Sequence, residues 1–430
     1  MILNSIKLFI VLTICSVDSL SAQEAVDKMD WRDCLEETLR QQPALIAARY
    51  EVDRAISEVT RTRSALFPQI SGRASYSYSK SSGDNADDSW SYSISGDQLI
   101  FDGLESWYDT GKQQQNLVAT RYDYILSSAE SRLSLRKAFI DLLEAQQLRE
   151  ITRDIVERRR QQLDMVNLRY EAGSEHKGSL LTSRANLSQA VFDLESAQRD
   201  ILIAQRNLSR EMGRDEFTPL DALGDLTSQP VPSVIPAFTE IAGTHPSVLK
   251  EAAYLEAAGY DLKSARAGFF PSIHGSASIG RRGDSWPPET ENWSAGLSLS
   301  LPIFTGGSRI ADVNIAEAAL EQTRQDDRET RNDTIYYLEE AWKQLINDTG
   351  RVRVEDQFLE ADLERARISE AQYATGLLSF DNWIIIEDNL VRTRKSHLGA
   401  RADALRSRAE WEYRSALTIE QELEAVEELP

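Results

Sequence analysis

The chain repeats itself, and that repetition limits its fold more than any other feature. At an offset of 203 residues, Pro43 matches Pro246, Phe67-Pro68 matches Phe270-Pro271, and Gly72 matches Gly275. At the same offset Trp90 matches Trp293, Ile100-Phe101-x-Gly103 matches Ile303-Phe304-x-Gly306, Tyr170 matches Tyr373, and Gly173 matches Gly376. Two halves with one spacing and no insertion imply two copies of one architecture. The expected layout is a leader at 1–22, a first repeat at 23–213, a connector at 214–236, a second repeat at 237–416 and an acidic tail at 417–430. Pro219, Pro230, Pro232 and Pro236 make the connector irregular. The tail is expected to fray into solvent.

Each half reads as helix, two strands, very long helix, tight turn and helix. Pro246 suits the first turn of a helix, where its missing N–H costs nothing. Phe67-Pro68 and Phe270-Pro271 end the first helices, because a residue before proline avoids helical geometry. The period then changes to two. Strands are predicted over about 70–79, 90–101, 273–280 and 293–303. Ile70, Gly72, Ala74, Tyr76 and Tyr78 alternate with Ser71, Arg73, Ser75, Ser77 and Ser79. Trp293, Ala295, Leu297, Leu299 and Leu301 alternate with Ser294, Gly296, Ser298 and Ser300. The polar segments between the strands, Lys80 to Ser89 and Arg281 to Asn292, read as exposed loops.

An apolar face opposite a serine-rich face fits transmembrane β-strands. It also fits a soluble sandwich with its apolar face on a core. Two observations favour the barrel. Tyr76, Tyr78, Trp90 and Trp293 sit at the loop ends of the strands, and Phe67, Phe101, Phe270 and Phe304 at the opposite ends, as in a double aromatic girdle. The chain also opens with a secretory pattern: Lys7, the apolar run Leu8 to Val17, and small residues at Ser19 to Ala22. An apolar run of about ten residues is too short to span a bilayer as a helix. Leu12-Thr13-Ile14-Cys15 resembles a lipoprotein box, but Ile14 is bulky where a small residue is required.

From about Leu104 to Glu171, and from about Ser308 to Thr375, proline is absent and each stretch holds one glycine, Gly111 or Gly350. Helices of that length reach about 100 Å, too long for the core of a compact domain. Leu163, Val166 and Tyr170, like Leu338, Trp342 and Leu345, recur at three and four among charged flanks. This is coiled-coil packing with water on two sides, whether in a tunnel wall or an ordinary extended coiled coil. Turns at 172–174 and 375–377 reverse the chain on Gly173 and Gly376. Four strands cannot close a barrel. Two chains would give eight strands, filled by their own side chains, whereas three give twelve with room for a channel.

The net charge of −21 argues against nucleic acid as a partner. The four histidines are scattered, so no zinc or copper spacing arises, and no cofactor is implied. Cys34 has no partner for a disulfide framework and reads as a small buried hydrophobe. No nucleophile triad or phosphate-binding loop is visible, which argues against an enzyme.

The Phe-Pro before each strand pair, the Ile-Phe-x-Gly after it and the Tyr-x-x-Gly turn together resemble the TolC-like outer-membrane efflux protein family, over about Trp31 to Ala416. The resemblance implies a mainly α chain with a membrane β-barrel portion. Three copies would form a 12-stranded barrel continuous with an α-helical coiled-coil tunnel across the periplasm. It implies an exit duct for efflux or type I secretion, working with a periplasmic adaptor and an inner-membrane pump, in contact with outer-membrane lipid. Residues 214–236 would be equatorial. Phe67, Pro68, Gly103, Phe270, Pro271 and Gly306 would form the barrel–helix junctions. Tyr170, Gly173, Ser174, Tyr373, Gly376 and Leu377 would form adaptor-contacting tips. Some family members carry acidic rings at the tip. The matching positions here, Asn382 and Ile385, are not acidic, so a constriction would fall to Asp381 among the neighbouring Asp381, Glu387 and Asp388. Asp381 is also explained as a charge favoured by a helix N-terminus. The alternative reading is a periplasmic adaptor or structural coiled-coil protein with a soluble β-domain.

Overall fold

A computed structural model describes residues 27–79, 87–227, 230–232 and 234–427. The expected leader and Cys15 lie outside the described residues. In chain order the elements are β1 (Asp27–Met29), α1 (Trp31–Gln41), α2 (Pro43–Arg63), β2 (Gln69–Ser79), β3 (Asp87–Phe101), α3 (Glu105–Glu171) and α4 (Lys177–Met212). They continue with β4 (Leu220–Ala222), α5 (Phe238–Thr244), α6 (Pro246–Ala267), β5 (Ser272–Gly283), β6 (Thr290–Ser300), α7 (Ser308–Ala374), α8 (Phe380–Arg414) and α9 (Ile419–Glu427).

The long helices α3 and α7 each run 67 residues. The shorter helices pack along them, α2 and α4 on α3, and α6 and α8 on α7. Gly213, which caps α4 at φ +84°, lies against Gln41 and Gln42, so α4 ends where α2 begins. Gln42 Nε2 donates to the Glu211 carbonyl at 2.9 Å across that joint. The two halves join where α3 packs against α6 and α8. Among the described residues, no helix is long and apolar enough to cross a membrane.

The sheet has the same order of halves, β2-β3-β5-β6, antiparallel throughout. Its register puts Tyr76 opposite Trp90, Ile94 opposite Ile279, and Ile279 opposite Trp293, all on the apolar face. The other face carries a continuous row, Ser71–Ser95–Ser278–Ser294, with hydroxyl contacts of 2.9 Å at both ends of the row. A bulge between Leu99 and Phe101 shifts the register by one, which brings Phe101 opposite Ile273 on the apolar face.

Three expectations need correction. The fourth strand stops at Ser300 instead of 303: Pro302 has no N–H for a ladder, and β6 has no neighbour on its outer side, so Ile303 and Phe304 are left exposed. The loop expected from Arg281 shrinks, because β5 continues to Gly283 and β6 starts at Thr290. The tail does not fray over its first part. Helix α9 buries Ile419 in the largest apolar core, together with Leu35, Leu142 and Leu208. Glu422 accepts from the Trp31 indole at 2.9 Å and from the buried Arg132, which also donates to Glu412 at 2.6 Å. The connector contributes to this core as well, since β4 pairs in parallel with β1 and buries Leu220.

Candidate functional site

The candidate functional surfaces lie at the two ends of the molecule and along its two open sides. At the strand end, Tyr76 and Trp90 meet with ring centroids 4.4 Å apart, and Trp90 also touches Trp286 at 5.5 Å. Tyr78 and Trp293 are exposed on the same apolar face. Trp286 was not anticipated from the sequence, because it falls in a loop with no period to place it. At the opposite edge of the sheet, Phe67, Phe270 and Phe304 are exposed beside the helix junctions.

Those junctions are built alike and surrounded differently. Gly103 has φ +73°, and a Cβ there would come within 2.7 Å of the Ala267 carbonyl and of Phe270. Gly306, its repeat partner, has φ +66° with nothing within 4 Å. The same contrast runs along the helices. Ile155 is 5% exposed, while its partner Phe358 is 59% exposed; Leu143 is 5% exposed, while Ile346 is 47% exposed. The second half covers the first half's outer side, and among the described residues nothing covers the second half's.

At the far end, both turns form the same cap. Gly173, at φ +72°, donates to the Tyr170 carbonyl at 3.0 Å, and Ser174 donates to the Arg169 carbonyl at 2.9 Å. Gly376, at φ +77°, donates to Tyr373, and Leu377 to Gln372, at 3.0 and 2.8 Å. This doubled closure satisfies the last carbonyls of each long helix. Ser174, Gly376 and Leu377 are exposed at the surface.

The two turn tyrosines are not equivalent. Tyr170 is half-exposed, whereas Tyr373 is fully buried. Within the chain the Tyr373 ring is therefore not accessible to a partner. It stacks on Trp383 at 4.2 Å and packs with Val166, Leu180 and Phe380. Arg169 lies 4.7 Å over the Tyr373 ring and donates to its carbonyl at 2.6 Å. The Tyr373 hydroxyl donates to Glu175 Oε2 at 2.9 Å. Burial, reinforced by that bond, pushes the phenol above its ordinary pKa. Burial opposes charge on Glu175, but hydrogen bonds from Ser179, the His176 N–H and Tyr373 outweigh it and hold the carboxyl below its ordinary range.

Of the acids near the tip, Glu387 is buried, accepting from Arg158 at 2.7 and 2.9 Å and from Gln162 at 2.7 Å. Asp388 is paired with Arg159. Asp381 is exposed in the first turn of α8, on one stripe with the exposed Ile385 and Asp388. Sequence reading missed Arg169, Glu175 and Trp383. A signal existed for the first two: they break the repeat, with Gln372 and Leu378 in their places.

The outer membrane efflux protein family matches residues 34–214 and 239–410. Outer membrane efflux protein BepC of Brucella suis is 22% identical over 297 residues, 67% of this chain and 63% of that protein. This chain thus spans under two thirds of that relative's length. Outer membrane protein TolC of Vibrio cholerae is 22% identical over 409 residues, 88% of this chain and 89% of that protein. The open-state Neisseria gonorrhoeae MtrE outer membrane channel shares the fold, with a TM-score of 0.79, 18% identity, and coverage of 90% of this chain and 88% of that one.

Proposed function

The chain belongs to the outer membrane efflux protein family, and from that premise we propose that three copies close into an exit duct from the periplasm through the outer membrane. The observation that carries this reading is the missing neighbour. Within the chain, Gly103 packs on Ala267 and Phe270. By the repeat, Gly306 would pack on Ser64 and Phe67 of the adjoining copy. The free outer sides of β6 and α7 would likewise receive β2 and the α2–α4 pair. A patch that meets a different patch on the next copy is a heterologous interface, which forms a ring when the rotation between copies closes. With four strands per copy, three copies give a twelve-stranded barrel with an open bore.

In this assembly the apolar face of the sheet meets lipid between its two aromatic belts, and the serine face lines the bore. The long helices continue the wall for about 100 Å. The turns at Gly173 and Gly376 lie at the periplasmic end. There Tyr170, Ser174 and Leu377 meet a periplasmic adaptor, through which an inner-membrane pump supplies the energy. Asp381 lines the duct just inside the tip, and Asp381→Ala would lower its cation preference. The chain itself catalyses no reaction.

The test is the purified protein in detergent, its mass taken by light scattering and its conductance recorded in a planar bilayer. A trimer with discrete ion channels is expected. A monomer or dimer without conductance would overturn the duct and return the sheet to a soluble β-domain on a coiled-coil stalk.

A further inference from the structure

The serine face of the sheet carries few charges, and one of them stands alone. Its described charged residues are Arg73 on β2, Asp87 and Asp97 on β3 and Arg282 on β5, Asp87 lying at the loop end opposite Ser79, and the face also carries His274. Arg282 is at the loop end, where its Nε donates to Ser89 Oγ at 3.2 Å and where Asp284 and Glu289 follow in the loop. Asp97 is at the helix end, opposite Gln69. Arg73 lies between them in the row Arg73–Ser93–Gly280–Asn292. It is exposed.

Every same-face neighbour of Arg73 is neutral. Ser71 and Ser75 precede and follow it on β2, Ser93 is directly opposite, and Ser91 and Ser95 are the diagonals. Carrying the β3–β5 pairing across the repeat puts Ser300 of the adjoining copy on its other side. Asp97 is four positions beyond Ser93 on its strand, roughly 13 Å away at the usual rise. That exceeds the Debye length of about 8 Å at physiological salt. Gly280, beyond Ser93 in the same row, adds no side chain to this level of the face, and a Cβ there would come within 2.5 Å of the Tyr92 carbonyl.

We propose that Arg73 sets the charge preference of the barrel bore, favouring anionic groups at that level although the chain as a whole carries −21. The proposal rests on the duct reading, because only closure turns the serine face inward and gathers three copies of Arg73 into one ring. In a bore walled by low-dielectric protein, a ring of like charge concentrates counter-ions. Serine hydroxyls around it supply hydrogen bonds but no competing charge.

Two measurements test it. The first is the chloride-to-potassium permeability ratio from reversal potentials in a low-salt KCl gradient. Arg73→Gln should lower that ratio about twofold, Arg73→Glu should lower it further, Arg73→Lys should preserve it, and the difference should fade in 1 M salt. The second reads the bore locally, whatever the state of the tip. In Ser93→Cys, an anionic methanethiosulfonate reagent should react several-fold faster than a cationic one, and adding Arg73→Gln should abolish that bias. Channels whose selectivity and labelling bias ignore Arg73 would overturn this proposal and leave the duct standing. Absence of channels and of any labelling of Ser93→Cys would overturn the duct reading itself.

Discussion

The Tyr373 hydroxyl donates to the Glu175 carboxylate at 2.9 Å, joining residues 198 positions apart at the turn end of the molecule. The bond ties the second half's long helix to the first half's turn, so any spreading of the two helical hairpins has to break it. Tyr373→Phe should weaken the tip by about 1 kcal/mol and raise the frequency of large-conductance openings in single-channel records. The bond also predicts a pH dependence. Glu175 is held below its ordinary range, so its contribution is complete above the usual carboxylate pKa of about 4.3. The contribution is lost as pH falls through the lowered folded value. Openings should therefore increase below about pH 4, and Glu175→Gln should show no such rise.

Farther along the helices, Glu387 is buried and accepts from Arg158 and Gln162, with Glu370 3.6 Å from the same guanidinium. Removing the buried carboxylate leaves Arg158 with only the more exposed Glu370 as counter-charge and leaves Gln162 without its acceptor, which costs about 1–3 kcal/mol. Glu387→Ala should lower the thermal transition of the protein in detergent markedly, and Glu387→Gln by less, because the amide keeps an acceptor. Equal transitions in all three proteins would show that the pair does not hold the halves together.

In the proposed duct, the repeat fixes how neighbouring copies would pair. Inside the chain Ser95 faces Ser278 across β3 and β5. The equivalent contact between copies is Ser298 of one with Ser75 of the next. A chain carrying both Ser75→Cys and Ser298→Cys should oxidise to a ladder ending at a covalent trimer on denaturing gels, and neither single variant should. A ladder that stops at dimers would mean a two-fold interface in place of a ring.

Cys34 lies in the apolar core that α9 enters through Ile419, and burial pushes its thiol up to about 12. The intact protein should resist thiol reagents at pH 8, where less than about one thiol in a thousand would be ionised. Deleting residues 419–430 should expose it and accelerate labelling at least tenfold. Because the folded pKa is raised, the thiol's contribution to stability is present below the ordinary value of about 8.5 and declines as pH rises above it. Cys34→Ser should flatten that alkaline decline.

Much of this protein could be read from its residues in order. The offset that matches Gly103 with Gly306 and Tyr170 with Tyr373 implied two like halves. Alternating serine and apolar residues separated the two faces of β2 and β6. Proline-free stretches marked helices of unusual length. These features are local: period, turn chemistry and spacing depend on residues near one another in the chain. Partnership does not. Tyr170 and Tyr373 occupy the same place in their repeats, yet one ring is half-exposed and the other is stacked on Trp383. Glu387 looks like a free acid beside Asp388, but Arg158 neutralises it from 229 positions away. The tail reads as polar enough to fray, yet Glu422 accepts from Arg132 beside the largest apolar core. The sequence by itself determined the elements, their faces and their doubling. Only the tertiary structure decided which copy of each repeated residue is covered, because burial depends on what packs alongside, and among the described residues of one chain only the first half has a neighbour on its outer side.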